Sequence, residues 1–326
     1  MKRIMMIIAG VLLAIVLLLW ALSQRTFPVT YGISFSKEYA EALELNWQEV
    51  YTAMLTDLQP TKVRIAATWK EVEATQGTYD FGDIDWQMDQ AEEHGAKVLL
   101  VVGQKAPRWP ECHIPSWVED TAEEKDQLLG YVRAVVERYK DHPALELWQV
   151  ENEPFIQFTF GECENYHKEY IHEEIDLVRS LDPDKKIVVT DSGELGLWYK
   201  AANTGDIFGT TLYRIVRTPK NHIWTYDWLP PAFYYLRAHM FGVDLDNFFV
   251  AELQAEPWFG EGNPHDSSIE EQEETMNPKR LEKHIEYVTH MGVSRTYLWG
   301  AEWWYFMKNT HNDARYWDIV KETLKK

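Results

Sequence analysis

Residues 145–154 read LELWQVENEP. The first eight, LELWQVEN (145–152), are too short for a helix and rich enough in Leu, Val and Trp for a buried strand. The run then ends abruptly on Glu151, Asn152, Glu153 and Pro154. Proline cannot continue a strand ladder, so the acidic residues stand at the strand's C-terminal end. Seven further runs share this character: YGISFS (31–36), KVRIAAT (62–68), KVLLVVG (97–103), KIVVTDS (186–192), FGTTLYRIV (208–216), NFFVAEL (247–253) and RTYLWGA (295–301). Amphipathic stretches of helical period lie between them. From Pro278 to Met291, Leu281, Ile285, Val288 and Met291 fall on one face, with Asn277 as cap, Pro278 in the first turn and Gly292 as stop. Eight strand–helix units over about 300 residues predict a single (β/α)8 barrel of the TIM type. An open doubly wound sheet is the rival, but no Gly-rich phosphate loop follows the first run. The longest non-periodic stretches follow runs three, six and seven, on the barrel face where active sites sit.

Ahead of the barrel, Ile4 to Leu22 form 19 residues without a charge, enough to cross a bilayer as a helix. Lys2 and Arg3 precede the run, and Trp20 stands near its far end, where interfacial aromatics belong. The expected organisation is therefore a cytoplasmic tip and transmembrane anchor over 1–25 and an extracytoplasmic barrel domain over 26–326, with the membrane engaged through residues 4–22. A cleaved signal peptide, ending at Ala21-Leu22-Ser23, is the alternative, although the apolar run exceeds the usual ~7–15 residues of a signal core. Residues 26–326 hold 29 Lys and Arg against 52 Asp and Glu, a net charge of -23. Nucleic acid is excluded as a partner by that sign, and acidic polysaccharides are disfavoured as ligands. Aromatics are abundant, with 15 Trp, 17 Tyr and 13 Phe, a supply of flat faces suited to cores and to ligand grooves.

The chemistry concentrates in two strand ends. Glu153 closes run four, and Glu252 closes run seven in VAELQAEPW (250–258), three units later. Two carboxylates across one pocket are what glycoside hydrolysis requires: one acid for the leaving oxygen and one carboxylate to attack or to activate water. Glu256 is a rival for the second position. Glu194 and Glu302, after runs five and eight, are expected to bind hydroxyls or structural partners. The eleven histidines form no His-x-His or His-Glu-x-x-His pattern, and no Gly-x-Ser-x-Gly elbow occurs, so neither a metal centre, a serine nucleophile nor a cofactor is expected. Trp109, Trp117, Trp258, Trp303 and Trp304 follow strands and are candidates for stacking on sugar rings, or for packing loops together. Trp148, Trp47, Trp86 and Trp317 are expected to pack in the core or between helices and barrel.

These residues resemble the clan A glycoside hydrolases, retaining (β/α)8 enzymes with catalytic glutamates after strands four and seven. Asn152-Glu153-Pro154 is similar to their acid/base motif. The resemblance implies that Glu153 is the acid/base, Asn152 a ligand of the sugar 2-hydroxyl, and Glu252 the nucleophile. It implies that Arg64 and Tyr213 steady that nucleophile and that Trp299 floors the cleaved-bond subsite; Trp258 and Trp303, from their positions after strands, are expected as further substrate contacts. The stretch from Trp69 and Glu73 through Gly77, Tyr79 and Phe81 resembles one seen in families 42, 5 and 39, and "WQVENE" leans towards family 42. The implied activity is double displacement at a β-glycosidic bond of a neutral oligo- or polysaccharide. A transglycosylase using the same residues and a non-catalytic carbohydrate-binding barrel are the alternatives.

The only cysteines are Cys112, nine residues beyond Gly103, and Cys163, ten beyond Glu153. They fall in neighbouring loops of the catalytic face. In an oxidising compartment they form a disulfide if their Cα atoms approach within about 7 Å, and otherwise stay as two thiols.

Overall fold

The computed structural model describes residues 2–325, apart from 120, 122, 159, 160, 219 and 260–263. Eight parallel strands close into a barrel: β1 (Thr30–Ser34), β2 (Lys62–Ala66), β3 (Lys97–Val102), β4 (Leu145–Val150), β5 (Ile187–Asp191), β6 (Ile207–Leu212), β9 (Phe248–Gln254) and β10 (Arg295–Trp299). All eight expected runs are barrel strands. The sixth run is longer in sequence than in space. The chain leaves the barrel after Leu212, and β7 (Ile215–Arg217) pairs antiparallel with β8 (Ile223–Thr225) as a hairpin on the rim. The open-sheet alternative is excluded by the pairing of β1 with both β10 and β2. The helix expected from Pro278 runs to Val288, with Asn277 Oδ1 accepting from the Arg280 amide at 3.1 Å. Gly292 follows with φ of 79°.

Two hydrophobic layers explain the pattern of the strands. One set of side chains points outward against the helices: Trp148 on β4 is fully buried there and donates to Asp182 Oδ2 at 2.9 Å. Trp47 meets Trp86 edge to face at 5.1 Å, and the Trp317 indole donates to Asp57 at 2.6 Å. The alternate set fills the barrel with Leu99, Val101, Leu147, Val188, Ile207, Phe249 and Tyr297. Covered on both faces, strands such as β5, β6 and β9 are buried at every residue, which is why they read as continuous apolar runs. Below this layer Glu146 joins Lys62 (2.6 Å) and Arg295 (2.8 Å). Above it lies the polar layer that forms the site.

The N-terminal helix, Lys2–Leu22, is long and apolar enough to cross a membrane and none of it is buried in the protein. Its end meets the barrel wall, where the Ala232 amide donates to Ser23 Oγ at 3.2 Å and Arg25 donates to the Tyr235 hydroxyl at 3.3 Å.

Gly32 on β1 faces inward with no room for a side chain. A Cβ there would stand 2.8 Å from Lys62 Cβ and its carbonyl oxygen and 2.9 Å from the Tyr297 ring. Gly32→Ala is expected to lower stability by about 1–3 kcal/mol through overpacking. Gly130→Ala, in helix Glu124–Tyr139 with only the Tyr79 hydroxyl within reach at 3.7 Å, is expected to hold or raise stability. Denaturant midpoints of the two variants against the parent check the contrast.

Candidate active site

The site is built around Arg64, an inward residue of β2 that is 1% exposed. Its Nε donates to Gln149 Oε1 (2.9 Å), its Nη2 to Asn152 Oδ1 (3.1 Å), and its Nη1 to Glu252 Oε1 (2.9 Å) and the Ala251 carbonyl (3.3 Å). One guanidinium thus ties β2 to the ends of β4 and β9. A buried cation of this kind is tolerated because its donors are met by a carboxylate and oriented oxygens.

Glu252 reaches Arg64 through a β-bulge. On the β6 side, Thr210 pairs with Val250 and Thr211 with Glu252; on the β10 side, Thr296 pairs with Val250 and Leu298 with Leu253. β9 therefore carries one residue more than either neighbour. Phe249 points into the barrel. Strict alternation would send Glu252 outward, and the extra residue turns it in. Its second oxygen accepts from the Tyr213 hydroxyl at 2.8 Å. Half-buried Trp258 lies edge to face on Tyr213 at 5.3 Å, at the margin of the same pocket.

Glu153 stands opposite on a backbone forced into the left-handed region, with φ of 61° at Glu151 and 46° at Glu153. Four hydrogen bonds fix that turn. Glu151 accepts the Gln104 and Lys105 amides at 2.7 and 2.8 Å, the Asn152 amide donates to the Lys105 carbonyl at 2.8 Å, and the Glu153 amide donates to Thr190 Oγ1 at 2.8 Å. Burial pushes the Glu153 carboxyl up to about 7, and the charges of Glu252 and Asp191 add to it; Lys105 and a 2.9 Å hydrogen bond from Thr211 Oγ1 oppose. Thr211, the register partner of Glu252, donates to Glu153, and Arg64 joins Glu252 to Asn152, so the two carboxyls face one pocket. Glu256, the rival, is committed elsewhere: Arg108 holds both its oxygens.

Several residues join the site that the sequence did not single out. Arg108, with φ of 87°, lies between the rings of Tyr39 (3.8 Å) and Trp299 (4.1 Å) and also donates to Glu302 at 3.1 Å. Trp299, expected as a bare floor, is only 7% exposed and gives one face to Arg108. Glu111 is buried 3.8 Å from Lys105 and 3.5 Å from the Asn152 amide nitrogen. Burial pushes its carboxyl up to about 8, with Glu252 and Glu153 adding. Glu302 and Glu194 have structural partners: the Ser36 amide and Arg108 for the first, the Tyr234 hydroxyl (2.7 Å) for the second.

Trp303 is a correction. The loop position expected from the sequence is the first turn of a helix, Ala301–Thr310, and the indole is fully buried, donating to Gln272 Oε1 at 2.7 Å beside the Tyr316 ring. It packs the barrel wall and has no face for a sugar. Trp304 is likewise buried, bonded to the Ala255 carbonyl at 2.7 Å. Trp117 packs on Trp69, whereas Trp109 is 63% exposed. Among the described residues, one group brings potential metal ligands within 4.8 Å of one another, Asp89, Glu92 and His142; it lies on the outer surface at the N-terminal end of β4, away from the glutamates.

The match to known proteins follows this geometry. The family model described as "Glycosyl hydrolase family 10" matches residues 33–206, which include Arg64, Asn152 and Glu153. This chain belongs to glycosyl hydrolase family 10. A β-galactosidase from Arthrobacter sp is 35% identical to it over 106 residues, 26% of this chain and 15% of that protein. Among solved structures, the β-galactosidase from Rahnella sp. R3 superposes with a TM-score of 0.60 at 12% identity, covering 93% of this chain and 56% of that one. A GH5_18 protein from Bifidobacterium longum subsp. infantis gives 0.57 at 15% identity, over 83% and 69% of the two chains. At these identities the structural likeness shows the (β/α)8 barrel fold alone, and the family 10 chain spans well under two thirds of the β-galactosidases it matches.

Cys112 and Cys163 are bonded, with Cα atoms 5.2 Å apart and a sequence separation of 51. The bridge joins the loops after β3 and β4, next to Glu111 in the chain. A loop of that size corresponds to about 4 kcal/mol in the chain-entropy model. Thiol titration of denatured, unreduced protein is expected to find no free thiol, and reduction to lower the melting temperature; two titratable thiols would refute the bridge.

Proposed function

We propose that this family 10 chain is a retaining glycosidase that cleaves the β-glycosidic bond of a neutral oligo- or polysaccharide by double displacement. The reading rests on one observation: two buried glutamates share a pocket with different partners, Glu252 bonded to a guanidinium and a phenol hydroxyl, Glu153 held mainly by burial. Glu252 accepts from Arg64 at 2.9 Å and from the Tyr213 hydroxyl at 2.8 Å, and is assigned the nucleophile's role. Glu153, raised to about 7, keeps a proton near neutrality.

The reaction follows from that difference. Glu153 gives its proton to the glycosidic oxygen while a Glu252 oxygen bonds to the anomeric carbon, and the alcohol leaves. The ester so formed removes the negative charge of Glu252. One of the influences that raised Glu153 is then gone, and its carboxylate is ready to take a proton from water as that water attacks the anomeric carbon. The Glu252–carbon bond breaks, and both residues return to their starting states. Asn152, oriented by Arg64 and Gln149, is assigned to the sugar 2-hydroxyl. Tyr213, Trp258 and Trp299 complete the subsite. Because relatives matched in part are named β-galactosidases, aryl β-galactosides lead the substrate panel, ahead of β-glucosides and β-xylosides. The barrel, 26–326, is placed outside the cytoplasmic membrane and held by the apolar helix, since Lys2 and Arg3 favour a cytoplasmic N-terminus.

Glu252→Gln and Glu153→Gln are each expected to lower kcat by at least about 10³-fold without loss of fold. Azide should rescue Glu252→Gly with inverted product and Glu153→Ala with retained product; the reverse pattern, read by NMR of the anomeric proton, would overturn the roles. The acid form of Glu153 is lost as pH rises, so kcat/KM should fall through about pH 7 on the alkaline side. Thr211 stabilises the carboxylate, so Thr211→Val should move that limb to higher pH; a limb that stays put would remove Glu153 as its origin.

A further inference from the structure

Outside the N-terminal helix, eleven large apolar side chains are exposed among the described residues, and eight of them fall between Leu195 and Met240. Trp228 is 68% exposed, Tyr199 66% and Met240 70%. The cluster belongs to the loops after β5 and β6 and to the helix Pro231–Met240, on which Leu236 and Met240 share a face one turn apart.

These pieces are held together as one surface. Arg237 donates to the Gly193 carbonyl at 3.0 Å and also to Gly196, pinning the β5 loop to the helix. The Tyr199 ring meets Phe241 at 6.2 Å, and Arg214 donates to the Leu229 carbonyl at 3.0 Å. The charge of this sector is also distinct. Residues 195–240 contain no Glu; the side chains of Arg214 and Arg217 are buried and paired with Glu194 and Glu274, Asp206 and Asp227 are paired with Arg179 and Lys283, and Lys200 and Lys220 are exposed.

The end of the apolar N-terminal helix touches this same sector. Ser23 caps the Ala232 amide, Arg25 reaches Tyr235, and Phe27 stacks on Tyr235 at 5.6 Å. An apolar patch with exposed tryptophans and two exposed lysines, beside a helix able to span a bilayer, has the composition of a membrane-interface surface.

We infer that the β5–β6 sector, residues 195–240, lies against the anionic headgroup region of the bilayer, so that the barrel is laid on the membrane by a second contact beside its anchor. Trp224 and Trp228 sit at headgroup depth, Leu236 and Met240 cover apolar surface, and Lys200 and Lys220 meet lipid phosphates. The inference rests on the helix Lys2–Leu22 being an anchor but not on the proposed reaction.

The test uses the full chain in vesicles of phosphatidylcholine and phosphatidylglycerol. Single cysteines are introduced by Trp228→Cys, Met240→Cys or Tyr79→Cys and labelled with an environment-sensitive fluorophore; the native cysteines are already bonded. Tyr79 follows β2, four strands from β6 in either direction around the barrel, and serves as the far-side control. Labels at 228 and 240 are expected to be quenched several-fold more than at 79 by a lipid carrying a headgroup-proximal nitroxide, and several-fold less by aqueous iodide. Equal quenching at all three sites, in protein that floats with the vesicles, would overturn the contact and leave the anchor standing. Protein that does not float would overturn both. Amide exchange of the unsubstituted chain, slower across 195–240 in vesicles than in detergent, is the matching expectation free of any label.

Discussion

The Arg64 guanidinium is sealed inside the barrel, so its donors must find acceptors without help from water. It finds them on β4, β9 and the turn after β4, and in doing so fixes the distance between those elements. Glu252 and Asn152 take their positions from this one cation. Gln149 extends the same network, accepting from Arg64 and donating to the Glu151 carbonyl at 2.9 Å, so the strained turn that presents Glu153 is braced from below. Such a network is worth more than its separate bonds, because each member orients the next in a low-dielectric interior.

That arrangement gives the two proposed catalytic carboxyls different surroundings. Glu252 is bonded through both oxygens to donors, one of them a full positive charge. Glu153 has a hydroxyl and, farther off, Lys105, and burial dominates. Glu111 adds a third acid, raised to about 8 and within reach of Asn152, so the pocket holds more protons near neutrality than two carboxylates alone would. On the other wall Arg108 is bonded to both Glu256 and Glu302 while lying between two aromatic faces.

The loops that carry these residues are tied at their outer ends as well. The Cys112–Cys163 bridge links the loops after β3 and β4, and the Ala106 amide donates to the Glu111 carbonyl at 2.8 Å within the first of them. Loop residues positioned by a rigid barrel and a covalent tie lose less order when a ligand enters, which is how a surface segment comes to hold reactive groups in place.

Much of this was legible in the sequence because it depends on local pattern. Eight apolar runs separated by helical periods are enough to specify the barrel, since strands covered on both faces must be apolar throughout. Glu153 was legible because a proline directly after an acidic strand end leaves few places for that acid to point. The cysteines were legible because loops of consecutive strands are neighbours. Other features depend on pairing across the barrel and leave no local mark. VAELQ contains nothing that announces a bulge; only the register of β9 against both β6 and β10 turns Glu252 inward. Trp303 and Trp304 follow a strand as a ligand-stacking tryptophan would, yet the helix begins at Ala301 and rolls both into the wall. Arg108 and Glu111 stand in an irregular loop where no periodicity assigns a direction, and the partners that give them meaning, Trp299, Glu302 and Asn152, are 41 to 194 residues away in the chain. The sequence alone determined the order of strands and the chemical groups at their ends; the closure of the barrel decided which of those groups meet, because contact across a barrel is set by register and not by proximity along the chain.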